Sequence, residues 1–246
     1  MNTKESSIKI ADSMYEQGTF KTDILSYIQT RVPIFAIDTL EEERFLKYMS
    51  HFTRIKNMRF YIWDIIEGLK DGGRGDKIDL KDPPTILATS QEEVILAYIS
   101  SKYKNIKKTQ INEDRDKGIM ADVYILLDFC HMLKDPRIIR RLKEIYSIPS
   151  TASVILVGSD LEDIFNGEMR TLIPTLLPTI PGDKELKMII DDIVGSVSKI
   201  LPNIIKEAED KEKDILKLVS GKTVAEAQFI LSKNISTYRS FLGKNK

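Results

Sequence analysis

Five short apolar runs stand out along the chain: Pro33–Ile37, Arg59–Ile65, Val123–Leu127, Ser153–Val157 and Leu172–Leu177. Runs of this length and character predict strands buried on both faces of a parallel sheet. Between them the spacing becomes helical, and several helix starts are marked. Thr39-Leu40-Glu41-Glu42 and Ser90-Gln91-Glu92-Glu93 read as capping boxes, and Asp135-Pro136 as an N-cap with proline at the first helical position. Beyond that proline, Ile138, Ile139, Leu142 and Ile145 form an apolar stripe, while Arg137, Arg140, Arg141 and Lys143 fall mostly on the other face. After Pro181-Gly182 the pattern is helical throughout, over about 184–200, 203–219 and 222–234, with Thr223-Val224-Ala225-Glu226 as a further capping box behind Gly221.

This order predicts an N-terminal arm over residues 1–20, an α/β core over 21–182 and a helical domain over 183–246. Two stretches read as loops. Gly68–Pro84, with Asp71-Gly72-Gly73-Arg74-Gly75-Asp76 and Pro83-Pro84, is expected to be a flexible insertion. Lys104–Lys117 is polar, charged and expected to be mobile.

Composition narrows the chemistry. The formal net charge of the 246 residues is zero, which argues against attraction of the whole domain to nucleic acid or to a membrane. No run approaches the roughly 18 apolar residues of a membrane span. One cysteine, Cys130, fits a reducing compartment, and a cytoplasmic location is expected. Two histidines and one cysteine do not build a zinc site of the usual kinds, so no metal is expected.

Val123–Leu127 followed by Asp128 has the form of a Walker B strand, an apolar run ending in the carboxylate that holds magnesium. No Gly-x-x-x-x-Gly-Lys-[Ser/Thr] occurs in the chain. The turn after the first strand is Asp38-Thr39-Leu40-Glu41-Glu42-Glu43-Arg44 instead. Carboxylates in a first helical turn suit the helix dipole and repel a triphosphate. Where a catalytic glutamate would follow Asp128 the chain has Phe129. Asp128 is expected to cap the next turn, Ser159 to sit at a sensor-like position after the fourth strand, and Ser159 or Asp160 to cap the helix after it. Arg170 lies where an arginine finger would be, with capping or salt bridging as its simpler role. Cys130 is expected to be an inert packed thiol and His131 a structural histidine.

Residues 31–44, Phe60-Tyr61-Ile62-Trp63-Asp64 with Gly68-Leu69, Leu127-Asp128-Phe129-Cys130-His131 and Leu133 carry a resemblance. So do Asp135-Pro136, Ile139-Arg140-Arg141-Leu142, residues 154–159, Pro181 and residues 224–227. Over about residues 20–235 the chain resembles the amino-terminal, P-loop-less domain of the conserved chloroplast-reading-frame AAA+ ATPases and their bacterial and phage relatives. The resemblance implies a P-loop NTPase-like α/β core with a parallel five-stranded sheet, followed by a small helical lid. It also implies a half that lacks a working nucleotide site and is followed in the family by an intact AAA+ domain.

The expected function is a catalytically inactive AAA+-like module that acts by protein–protein association, as a scaffold or regulatory domain. Its partner would be an active ATPase domain, another subunit or a second copy, met through AAA-type interfaces that include Arg137, Arg140 and Arg141. No cofactor is expected, and ATP with magnesium would enter only at an unexpectedly competent site. The sequence leaves two alternatives open. One is a nucleic-acid factor similar to an inactive clamp-loader subunit, using Lys102–Lys108 and Arg137–Lys143. The other is an atypical nucleotide site around Asp38, Asp128 and Ser159.

Overall fold

A computed structural model describes residues 14–16, 18–80, 90–104, 113–114, 116–148 and 152–243. The chain divides into two compact units. The first takes in Thr19–Glu42 and Met49–Pro178. The second takes in the chain from Thr179 onward, Glu43–Tyr48 and the described residues up to Gly18.

The first unit is built on a six-stranded sheet in the order β3-β2-β4-β5-β1-β6. Its strands are β1 (Ile34–Asp38), β2 (Arg59–Asp64), β3 (Gly68–Asp71), β4 (Asp122–Leu127), β5 (Ala152–Gly158) and β6 (Thr175–Leu176). All neighbours are parallel except β2 and β3. The central register sets Phe35 beside Ile155 and Ile155 beside Ile125.

Both faces of the central strands are buried, as the unbroken apolar runs require. Ile34, Ala36, Tyr124, Leu126, Val154 and Leu156 join the core with α3 (Gln91–Lys104) and α4 (Pro136–Tyr146), which supply Ile95, Leu96, Ile99, Ile138 and Leu142. The alternate residues Phe35, Ile37, Val123, Ile125, Ile155 and Val157 are also buried. On their side α1 (Phe20–Gln29) sets the Tyr27 ring edge-on to Phe35 at 5.3 Å. α2 (Glu42–Ile55) buries Met49 and Phe52. Each large aliphatic or aromatic side chain so buried contributes about 1.5–3 kcal/mol.

Several expectations need correction. The sheet has six strands among the described residues, not five, because part of the expected insertion is structured. β3 pairs antiparallel with β2, from Tyr61 beside Asp71 to Asp64 beside Gly68, and Lys70 bridges to Lys77 beyond the turn. The glycines therefore serve a hairpin, with Asp71 Oδ1 accepting from the N–H groups of Gly73 and Arg74. Residues 81–84 of that expectation lie outside the described residues, as do 105–112 and 115 of the charged segment.

The last apolar run is mostly not strand. Leu172 ends the short helix α6 (Gly167–Leu172), and β6 keeps two residues between Pro174 and Pro178. Prolines lack the N–H that would extend the ladder. α1 was not among the expected elements at all.

The second unit has its own core. Leu186, Ile190, Ile204, Ile215, Val219, Leu231 and Phe241 are buried together by α7 (Asp183–Val197), α8 (Asn203–Asp210), α9 (Glu212–Val219) and α10 (Val224–Tyr238). The helix expected over 203–219 is broken at Lys211, where φ reaches −121°. α10 starts in a complete capping box, with Thr223 accepting from Glu226 N–H and Glu226 reaching back to Thr223 N–H.

Candidate functional site

Parallel strands of one α/β sheet end at a common edge, where ligands of such folds bind. Here β1, β4 and β5 deliver Asp38, Asp128 and Gly158 to that edge. Thr39 N–H donates to the Gly158 carbonyl at 2.7 Å, which holds the two strand ends together.

The turn after β1 differs from the expected capping box. Thr39 Oγ1 accepts from Glu41 N–H at 3.0 Å, which closes a tight turn ahead of the helix. α2 starts at Glu42, and its N-cap residue Glu41 makes no side-chain cap. Glu41, Glu42 and Glu43 therefore stand around the first turn, where their charge is favoured by the helix dipole. The carboxyl of Glu42 is pushed above its ordinary range, chiefly by burial and then by the negative charge of Asp128.

Asp128 adopts the left-handed conformation, φ 54°, and makes no side-chain cap to the 3-10 turn Phe129–Met132, contrary to the expected capping role. Its N–H donates to the Val157 carbonyl at 3.0 Å. The Cys130 thiol is buried and pushed up to about 12, first by burial and then by the charges of Asp128 and Asp38. It is an unreactive thiol by chemistry, since the thiolate is the nucleophile.

Beyond β5, Ser159 and Asp160 lead into the short helix α5 (Leu161–Ile164). Asp160 is left-handed, φ 56°, and makes no side-chain cap. The cap comes from elsewhere in the chain: Asp38 Oδ2 accepts from Leu161 N–H at 3.2 Å. Arg170, in the last turn of α6, donates through Nε to the Phe165 carbonyl at 3.1 Å and through Nη2 to the Glu162 carbonyl. It ties off the end of α5, the capping role expected as its simpler one. The edge thus gathers Asp38, Glu42 and Asp128, while Ser159 follows β5 and Arg170 works within the α5–α6 segment.

The basic face of α4 is partly neutralised by its own chain. Asp135 caps the helix, accepting from Arg137 N–H at 2.8 Å, and also takes the Arg137 guanidinium at 2.7 Å. Arg141 reaches Glu144 at 3.0 Å and Glu93 at 3.8 Å, and Lys143 pairs with Glu168. Arg140 is exposed.

The basic stretch at the end of α3 is also used internally. Lys102 Nζ donates to Tyr124 OH at 2.8 Å, pairs with Asp122 at 3.2 Å and lies 5.0 Å from the Tyr61 ring centroid. Lys104 pairs with Glu144. Asp122 is buried and also takes Arg59 and the Tyr103 hydroxyl, while Arg59 reaches Asp114 at 2.8 Å. Burial above all, with the charge of Asp122, raises the Tyr103 hydroxyl far above its ordinary value. No local sequence signal announces this network, because its members come from β2, α3, β4 and residue 114.

Among the described residues no group of three or more His, Cys, Asp or Glu is placed to hold a metal ion. No described helix is long and apolar enough to cross a membrane.

Comparison with known proteins follows the same lines. Residues 20–164 match the N-terminal domain family of SpoVK-like AAA ATPases. The uncharacterized AAA domain-containing protein ycf46 of Trieres chinensis is 23% identical over 227 residues, 90% of this chain and 39% of that protein. The protein of the same name from Pyropia yezoensis is 23% identical over 224 residues, 88% of this chain and 40% of that one. The chain spans about two fifths of the length of these curated relatives. Among solved structures, a chain in the structure of Drosophila ORC bound to DNA has a TM-score of 0.50 at 15% identity, covering 84% of this chain and 56% of that one. A chain of the E. coli MS115-1 HORMA:CdnC:Trip13 complex has a TM-score of 0.47 at 11% identity, covering 97% and 87%. The match over residues 20–164 and the likeness to the ycf46 proteins bear out the resemblance to an N-terminal AAA+ family domain, and the mostly parallel sheet bears out the α/β fold.

Proposed function

The chain belongs to the family of SpoVK-like AAA ATPase N-terminal domains, and from that premise we propose that it is an AAA+-type module that works by protein–protein association rather than by nucleotide turnover. The observation that carries this reading is the set of carboxylates at the strand ends: Asp38 closes β1, Asp128 follows β4 and Glu42 opens α2. A P-loop places backbone N–H groups and a lysine there to receive phosphates. This edge instead presents Asp38, Glu42 and Asp128, and a triphosphate brought to it meets like charge. The carboxylates could face a cation, but the glycine turn and lysine that would receive the phosphates are missing from the sequence, and no catalytic step is assigned to this edge.

The partner in this reading is an AAA+ ATPase domain or subunit, or a second copy, in a reducing, cytoplasm-like compartment. Arg140, exposed on α4, is the member of the predicted interface best placed to meet it. The nucleic-acid reading is weaker, because Lys102, Lys104, Arg137, Arg141 and Lys143 already have intramolecular acidic partners.

Calorimetry with ATP and ADP in the presence of magnesium tests the first half of this reading. No heat of binding is expected, and micromolar binding abolished by Asp128→Ala would overturn it in favour of an atypical nucleotide site. Pull-down with the chain as bait tests the second half. Retention of duplex or single-stranded DNA with steep salt dependence, in place of protein, would favour the nucleic-acid alternative.

A further inference from the structure

In the second unit, Arg44 and Glu185 form a bidentate ion pair, Nε to Oε1 at 2.7 Å and Nη2 to Oε2 at 2.8 Å. Both side chains are 4% exposed. Arg44 Nη1 also donates to the Thr179 carbonyl at 2.8 Å. The face of the guanidinium lies 4.1 Å from the centroid of the Tyr15 ring, and Tyr48 meets that ring edge-on at 5.2 Å. All these residues belong to the same unit.

A dry ion pair depends on what keeps water out, because desolvation is costly and the attraction weakens once water enters. The Tyr15 ring covers one face of this pair. The backbone that delivers the ring is not relaxed. Tyr15 has φ 54°, the left-handed region that disfavours aromatic residues, and Gly18 has φ 73°. A Cβ at Gly18 would stand 3.1 Å from Thr179 Cγ2, so the chain passes close there. Glu16 adds an exposed pair with Lys184 at 2.9 Å, of a kind that contributes little. The buried Met14 and Tyr15 side chains hold this segment down, and its backbone strain opposes them.

We propose that Met14, Tyr15, Glu16 and Gly18 form a strap that seals the Arg44–Glu185 pair, and that release of this strap is a discrete opening step of the second unit. With the strap off, the guanidinium face meets water. The pair then becomes a salt-sensitive surface pair, and Glu43–Tyr48 loosens from Thr179 and Glu185. The strap operates whether or not the chain binds nucleotide.

Hydrogen exchange on the full chain, read by mass spectrometry, tests this with Tyr15→Ala and Tyr15→Phe. In Tyr15→Ala, amides of residues 43–48 and 185–190 are expected to exchange about tenfold faster or more, with β1, β4 and β5 unchanged. Tyr15→Phe keeps the ring over the cation and is expected to match the unaltered chain. Unchanged protection of those segments in Tyr15→Ala overturns the strap. So does an equal rise across the sheet, which reports loss of global stability. If Tyr15→Ala does not fold, exchange of the unaltered chain in low denaturant decides: residues 43–48 and 185–190 opening together before the sheet supports the strap, and opening only with the sheet overturns it.

Discussion

Asp38, the last residue of β1, accepts a hydrogen bond at 3.2 Å from the backbone N–H of Leu161, the first residue of α5. A helix start leaves N–H groups without partners, and a carboxylate from another strand end serves one of them. The residue that opens the turn where a P-loop would lie is thus engaged in holding the next strand's exit. Asp38→Ala is expected to lower stability by about 1 kcal/mol, the usual cost of a lost cap, and Asp38→Asn by less. Urea unfolding of both variants measures this. Equal stability of Asp38→Ala and the unaltered chain would refute the role.

Glu42 supplies a pH signature. Its folded-state pKa is raised, so the folded state holds the proton more tightly than the unfolded state does. Ionisation of Glu42 therefore costs stability as pH rises through its raised pKa, and the cost is absent below the ordinary carboxylate pKa of about 4. Glu42→Gln is expected to raise the unfolding midpoint at neutral pH. The gain should shrink as pH falls to about 4. Thermal unfolding across that range checks the sign, and a pH-independent gain would mean the charge is not its source.

Asp122 is the common acceptor for Arg59, Lys102 and Tyr103. Removing one partner of a buried ionic cluster leaves the others uncompensated. Asp122→Asn is expected to cost about 3 kcal/mol in denaturant unfolding. It should also alter the near-ultraviolet circular dichroism of the tyrosines around Lys102. A loss below about 0.5 kcal/mol would place the cluster among surface pairs of little weight.

Gly72 tests the β2–β3 hairpin. A Cβ there would stand 2.3 Å from Cδ1 and 2.5 Å from Cε1 of the buried Phe60 ring. Gly72→Ala must displace the ring or the turn, at an expected cost of about 1–3 kcal/mol. Exposed Gly75, with nothing near its would-be Cβ but φ 78°, is the comparison, and Gly75→Ala should cost about 1 kcal/mol from conformation alone. Equal effects at the two glycines would show that Phe60 yields freely.

The strands that the apolar runs announced are those with both faces buried. Ile34–Ile37, Val123–Leu126 and Val154–Val157 had to be apolar throughout, so their burial is legible in order of residues alone. β3 was missed because Gly68-Leu69-Lys70-Asp71 lies at a sheet edge, where one apolar residue, Leu69, suffices for packing. Thr39 closes a turn instead of capping the helix, because the helix start depends on where β1 ends. The caps of Asp135 and Thr223 are legible in the sequence because they are local bonds to residues two and three positions on. Of the candidate site, Asp128 was visible from its strand, and the missing P-loop was visible as missing glycines and lysine.

The order of residues by itself determined the class of fold, the parallel strands and the acidic character of the turn after β1. Those properties depend on burial and charge of neighbouring positions. Tertiary structure alone decided that Asp38 serves Leu161, that Lys102 turns onto Tyr61 and Tyr124 and that Arg44 is sealed with Glu185. In each case the partners are separated by between 22 and 141 residues. A hydrogen bond or ion pair is a short-range interaction, so chain segments far apart in sequence form one only after the packing of the sheet and helices has brought them within reach.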